Sequence, residues 1–129
     1  NLKKIQSRRK NLWNNYYESL KKLEEDEMLK LPEIPDYATS NGHLFYIICK
    51  NMKERKQLIT FLKDNGVHSV FHYLSLHKSP YYINKYKSIA LKNCDRFADR
   101  LLRLPLYYEL CMEDQNRIID MLQSFFRKK

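Results

Sequence analysis

Three of the four histidines of this 129-residue chain stand close together, at His68, His72 and His77. His68 and His72 are four apart, a spacing that on a helix offers two zinc ligands. The surrounding run Val67-His68-Ser69-Val70-Phe71-His72-Tyr73 reads instead as a strand. At about 3.3 Å per residue, four strand positions span ~13 Å, too far for two ligands of one ion. No cysteine or carboxylate lies near in sequence to complete a set, so no metal site is expected. The stretch Phe71-His72-Tyr73-Leu74-Ser75-Leu76-His77 nevertheless puts two imidazoles and a phenol where a strand runs out into a loop. Strand ends are favoured places for ligand-contacting groups. These side chains can bond a phosphate, a sugar hydroxyl or a carboxylate equally well. The plain alternative is a hydrogen-bonded core histidine at 72 and a solvated one at 77.

No nucleophile constellation accompanies them. The chain has no Gly-x-Ser-x-Gly, and its only glycines, Gly42 and Gly66, cannot build a phosphate-cradling loop. The carboxylates are scattered over helical surfaces. Cys49, Cys94 and Cys111 are far apart and form no CxxC pair, so neither a zinc ribbon nor a redox motif is expected. Cys49 and Cys94 sit in apolar or amphipathic stretches and read as buried thiols of a reducing compartment, which is to say a cytoplasmic location.

Lys plus Arg number 24 against 15 Asp plus Glu, a net charge of +9, and there are 10 tyrosines. That combination raises a second reading, a basic nucleic-acid-binding module. The positive residues, however, are spread over every helix rather than gathered on one strip. No RNP, helix-turn-helix or zinc-finger pattern is present. The tyrosines at 16/17, 81/82 and 107/108 come in pairs, so one of each pair can be buried while the other rims the surface. A generally basic surface is the simpler account, and no nucleic-acid partner is expected.

Which elements hold the histidine stretch in place can be read from periodicity. Leu2, Ile5, Arg9, Leu12, Trp13, Tyr16, Leu20 and Leu23 recur at three- and four-residue steps, predicting a helix over 2–25. Its acidic end, Glu24 to Glu27, has the wrong sign for a helix C-terminus and is expected to fray. Pro32, Pro35 and Asn41-Gly42 mark 29–43 as a loop. Leu44 to Cys49 reads as a buried strand. Asn51, three before Glu54, opens a helix as a capping box does, with Leu58, Phe61 and Leu62 on its buried face and Gly66 at its stop. Val67 to Tyr73 is the second strand, and Leu74 to Tyr86 is irregular. Asn93 caps a helix whose apolar face is Cys94, Phe97, Ala98 and Leu101. Leu104-Pro105-Leu106 breaks it and passes through a short extended segment. The last helix opens on Glu113 and Asp114 and buries Ile118, Ile119, Leu122, Phe125 and Phe126, ending at Arg127-Lys128-Lys129. The expected fold is α/β or α+β, a small sheet covered by helices.

No apolar run approaches the ~20 residues a membrane span needs, and no signal-peptide core is visible, so no membrane partner is expected. A start inside a helix without an initiator Met leads us to expect a fragment of a longer protein, with residues 1–129 as one domain.

Several segments, taken together, resemble one family. They are Arg9-Lys10-Asn11-Leu12-Trp13 through Tyr16-Tyr17, Asn41-Gly42-His43-Leu44-Phe45-Tyr46-Ile47, Val70-Phe71-His72-Tyr73-Leu74-Ser75-Leu76-His77, and Arg100-Leu101-Leu102-Arg103-Leu104-Pro105-Leu106-Tyr107. They are similar to the C-terminal domain of the DegT/DnrJ/EryC1/StrS sugar aminotransferases, over essentially the whole chain. The resemblance implies the small C-terminal domain of a fold-type I, pyridoxal-phosphate-dependent transferase. It implies a homodimeric enzyme that moves an amino group from glutamate to a 4-keto-6-deoxy nucleotide sugar. In such enzymes the cofactor-binding lysine, the aspartate facing the pyridine nitrogen and the main phosphate contacts belong to a large N-terminal domain. No lysine of this chain is therefore assigned a catalytic or cofactor-binding role. The family's His-aromatic pair, on the nucleotide-sugar side, maps to His72 and Tyr73 as substrate-binding residues, with His77 third. Where the family usually has Pro, this chain has Ser75, which changes the loop leading to His77.

Overall fold

In the computed structural model, which describes residues 1–85 and 90–128, one long helix and a three-stranded antiparallel sheet share a single apolar core. Helix α1 (Leu2–Glu25) is as long as the periodicity predicts. It is followed by β1 (Phe45–Ile48), α2 (Met52–Asp64), β2 (Val70–Phe71), the one-turn helix α3 (Pro80–Ile83), α4 (Lys92–Arg100), β3 (Leu101–Leu104) and α5 (Met112–Arg127). The class is α+β. Tyr86 and Lys129, which the sequence analysis named as segment ends, lie outside the described residues.

The sheet order is β1-β3-β2, with β3 antiparallel to both neighbours. Side chains alternate across a strand, so Phe45 and Ile47 share one face with their partners Leu104 and Leu102. All four are buried, against Leu12, Tyr16 and Leu20 of α1 and Ile118, Ile119 and Leu122 of α5 among the core residues. The other face carries Tyr46, Arg103 and Val70 side by side. Gln115 of α5 is wholly buried in the apolar core. Its Nε2 donates to Leu12 O at 2.7 Å and its Oε1 accepts from Asn15 Nδ2 at 2.9 Å, so both ends of the amide are satisfied.

Several local expectations are corrected. Leu2 and Ile5 do not join the core: Leu2 is 75% exposed, and burial in α1 begins at Leu12. The acidic end of α1 does not fray open. Glu27 adopts a left-handed φ of 55°, and Met28 N–H donates to Leu23 O while Glu27 N–H donates to Glu24 O. That is a Schellman closure built without glycine. The 29–43 loop pairs once with the sheet, Lys30 and Ile48 exchanging backbone bonds of 3.0 and 2.9 Å. At α2, Asn51 Oδ1 accepts from Glu54 N–H as expected, but Glu54 Oε1 accepts from Lys50 N–H, one residue ahead of the cap.

Further corrections bear on the candidate site. The second strand shrinks from 67–73 to Val70–Phe71, because β3 offers it only Arg103 and Leu102 as partners. Helix α4 begins at Lys92, with Leu91 at its cap and no side-chain capping bond, so Asn93 lies inside the first turn. None of its residues is buried, and Cys94 is exposed. Cys49 is the buried thiol of the two. Leu101 leaves the helix and starts β3 directly, so the extended segment precedes Pro105 rather than containing it. Tyr16 is fully buried beside a half-buried Tyr17, as expected, whereas neither 81/82 nor 107/108 has a buried member.

Candidate functional site

His72 and Tyr73 are the first residues beyond β2. Both are exposed, Tyr73 by 72%, and their rings contact one another at 4.3 Å between centroids, tilted by 59°. His72 is therefore not a core histidine. The strand end beneath them is held by Arg55 of α2. Its guanidinium carbon lies 5.6 Å from the centre of the Phe71 ring, and Nη1 donates to Ala98 O in α4 at 2.5 Å. Arg55 is buried. A guanidinium stacked on an aromatic face while bonding a carbonyl is a rigid tie. Sequence reasoning passed over Arg55 because a charged residue on a helix ordinarily belongs to a solvated face.

The loop continues through Ser75 to a short 3-10 turn at Leu76–Lys78, and there the second imidazole parts from the first. His77 Nε2 stands 3.1 Å from Asp95 Oδ1 on α4 without the alignment of a hydrogen bond. The same carboxylate oxygen accepts from Ser75 Oγ at 3.1 Å and takes Lys78 Nζ at 3.0 Å. Cys94 Sγ lies 3.6 Å from Ser75 Oγ. The Lys78 hydrogen bond, helped by those from Ser75 and by the nearby charges, holds the Asp95 carboxyl below its usual range. Ser75 is buried. The Ser75 hydroxyl thus fixes the loop to α4. Asp95 was legible only as one of many helical carboxylates.

The three predicted residues fall into two settings. His72 and Tyr73 present their rings outward, and His77 is turned against α4. His68 lies before β2, exposed and away from both. Among the described residues, no three His, Cys, Asp or Glu side chains gather as metal ligands would. Every described lysine is exposed. Among the described residues, no helix is long and apolar enough to cross a membrane.

This architecture recurs in solved aminotransferases. TlmJ from Streptoalloteichus hindustanus superposes with a TM-score of 0.87 at 23% identity, over 98% of this chain and 33% of TlmJ. A DegT DnrJ EryC1 StrS aminotransferase from Brucella abortus gives 0.76 at 28% identity, over 95% of this chain and 31% of its own. NtdA from Bacillus subtilis, solved with bound cofactor PMP, gives 0.83 at 25%, over 95% and 28%. The fold is thus that of a segment of an aminotransferase, and this chain spans about a third of such proteins. The family profile matches residues 1–123, and the chain belongs to the DegT/DnrJ/EryC1/StrS aminotransferase family.

Proposed function

We propose that residues 1–129 are the small C-terminal domain of a pyridoxal-phosphate-dependent nucleotide-sugar aminotransferase, whose cofactor is held by a larger domain that precedes it. The single observation that carries this reading is the exposed His72–Tyr73 ring pair at the end of β2 in a chain of this family. An imidazole and a phenol side by side, anchored from below by Arg55 and Phe71, offer donors and acceptors to a sugar and a face to a base. His77 contributes through the loop, by tying its far end to Asp95. In this reading no cofactor contact and no bond-making step is assigned to these residues. Pyridoxal phosphate, where it is bound, supplies the electron sink. This domain binds, orients and covers the substrate, and is inactive alone.

In its finer form the proposal is that of a dTDP-4-amino-4,6-dideoxygalactose transaminase, a homodimer passing the amino group of glutamate to dTDP-4-keto-6-deoxyglucose in lipopolysaccharide biosynthesis. Solved relatives support a cofactor of this class, since NtdA holds PMP. In the full-length protein, His72→Ala is expected to keep the cofactor absorbance and lose most of its turnover with that sugar and glutamate. Unchanged turnover would remove His72 from the substrate site.

A further inference from the structure

The face of the sheet turned away from the core carries a second polar group of residues, at the other end of β2 from His72. A cleft of about 170 Å³ opens there at the end of the sheet where β1 starts and β3 finishes, lined by His43, His68 and Arg103 with Val70 and the run Leu104-Pro105-Leu106 as its apolar floor. Arg103 is the residue of the central strand β3 that pairs with both Tyr46 and Val70, so its guanidinium belongs to the middle of that face. His43 enters from the segment before β1, and His68 from the segment before β2. Three elements therefore bring one cation and two imidazoles to one place. Among the described residues, none of these three side chains takes part in a hydrogen bond or ion pair, and no carboxylate lines the cleft. Burial, and then the Glu33 charge, push the Tyr46 phenol above its ordinary value, but Glu33 is not part of the lining. The guanidinium that flanks the entry to β1, that of Arg9, is already spent on the carbonyls of Gly42 and His43.

We propose that this cleft binds the phosphoryl group of a small phosphorylated ligand. Guanidinium and imidazole donors suit oxyanions. Their approach from three different elements suits a tetrahedral group, with oxygens on several sides, better than a planar carboxylate. The cleft has room for several waters, hence for one phosphate, and the apolar floor faces whatever carbon group the phosphate carries. The site is separate from the His72–Tyr73 loop and stands whether or not that loop contacts a sugar.

The test is NMR titration of the chain with inorganic phosphate at fixed pH and ionic strength, with sodium chloride and glutamate as parallel arms. The imidazole signals of His43 and His68 and the Arg103 Nε signal are expected to move together and saturate with phosphate, while those of His72 stay in place. Arg103→Gln is expected to weaken phosphate binding at least about tenfold, as loss of a charged donor should. Should that variant fail to fold, the double variant His43→Gln/His68→Gln carries the same expectation. Equal shifts with chloride, tighter binding of glutamate, equal movement of lysine-rich α1, or unchanged affinity in the variants would each overturn the proposal.

Discussion

His77 and Asp95, eighteen positions apart in sequence, meet at 3.1 Å between Nε2 and Oδ1 and so join the loop beyond β2 to helix α4. Ser75 and Lys78 reach the same oxygen. One carboxylate thus gathers three side chains of a single loop, and this sets how the loop responds to acid. The folded Asp95 carboxyl is held below its ordinary value. A depressed acid stabilises the fold fully above the unfolded value and loses that contribution as pH falls through the lower folded one. The tie is expected to persist at neutral pH and to loosen as pH falls below the ordinary carboxylate value of about 4. Hydrogen-exchange protection at the Lys78 and Ser79 amides, which bond within the turn, taken relative to the intrinsic rate at each pH, should fall over that acid range. In Asp95→Asn protection should already be low at neutral pH, show no acid transition, and match the parent chain only once the carboxyl is protonated.

Gln115 gives a second expectation. Its amide is buried in an apolar interface and bonds Leu12 O and Asn15. Gln115→Ala leaves the Leu12 carbonyl without that donor and opens a void, and is expected to lower unfolding free energy by about 1–3 kcal/mol. Urea denaturation followed by Trp13 fluorescence reads this directly. Asn15→Ala, at the half-buried end of the pair, should cost less.

Gly42 sits where the loop crosses α1, at a φ of +62°, and a Cβ there would come within 3.1 Å of the backbone at Arg9 and Lys10. Left-handed conformation and close approach both demand glycine. Gly42→Ala should destabilise by more than about 1 kcal/mol, because it is strained in φ as well as crowded. If it unfolds no more easily than the parent chain in urea, the contact between loop and helix is looser than described.

Tyr16 donates its hydroxyl to Pro105 O at 3.0 Å from within the core. Burial, and then Tyr107, push its phenol far above the ordinary value. A raised acid favours the protonated folded state, so stability is expected to hold up to about pH 10 and to fall as the unfolded chain's tyrosines ionise above it. Tyr16→Phe removes the hydrogen bond at a cost of about 0.5–1.5 kcal/mol and should flatten that alkaline decline.

The parts of the fold that were legible are those whose signal is local and repeated. The stripe from Leu12 to Leu23 and that from Ile118 to Phe126 each recur over several turns, and Asn51 to Glu54 is a short-range bond. What escaped was set by distant partners. Leu101 has the spacing of a helical residue, and only the β1 ladder, Leu101 opposite Ile48, makes it a strand. The apolar face around Cys94 and Phe97 has helical periodicity, yet none of the residues of α4 is buried. Within the candidate site, His72 and Tyr73 stood out by type and by family resemblance. Arg55 and Asp95 did not, since their value lies in what they touch across 43 and 20 residues.

Helix α4 passes into β3 without an intervening turn, Arg100 ending one and Leu101 starting the other. Asp95 and the middle strand of the sheet are therefore stations on one stiff lever with no slack between them. The loop's three side chains thus hold a carboxylate whose own helix is followed, with no residue between, by the strand that both other strands pair with.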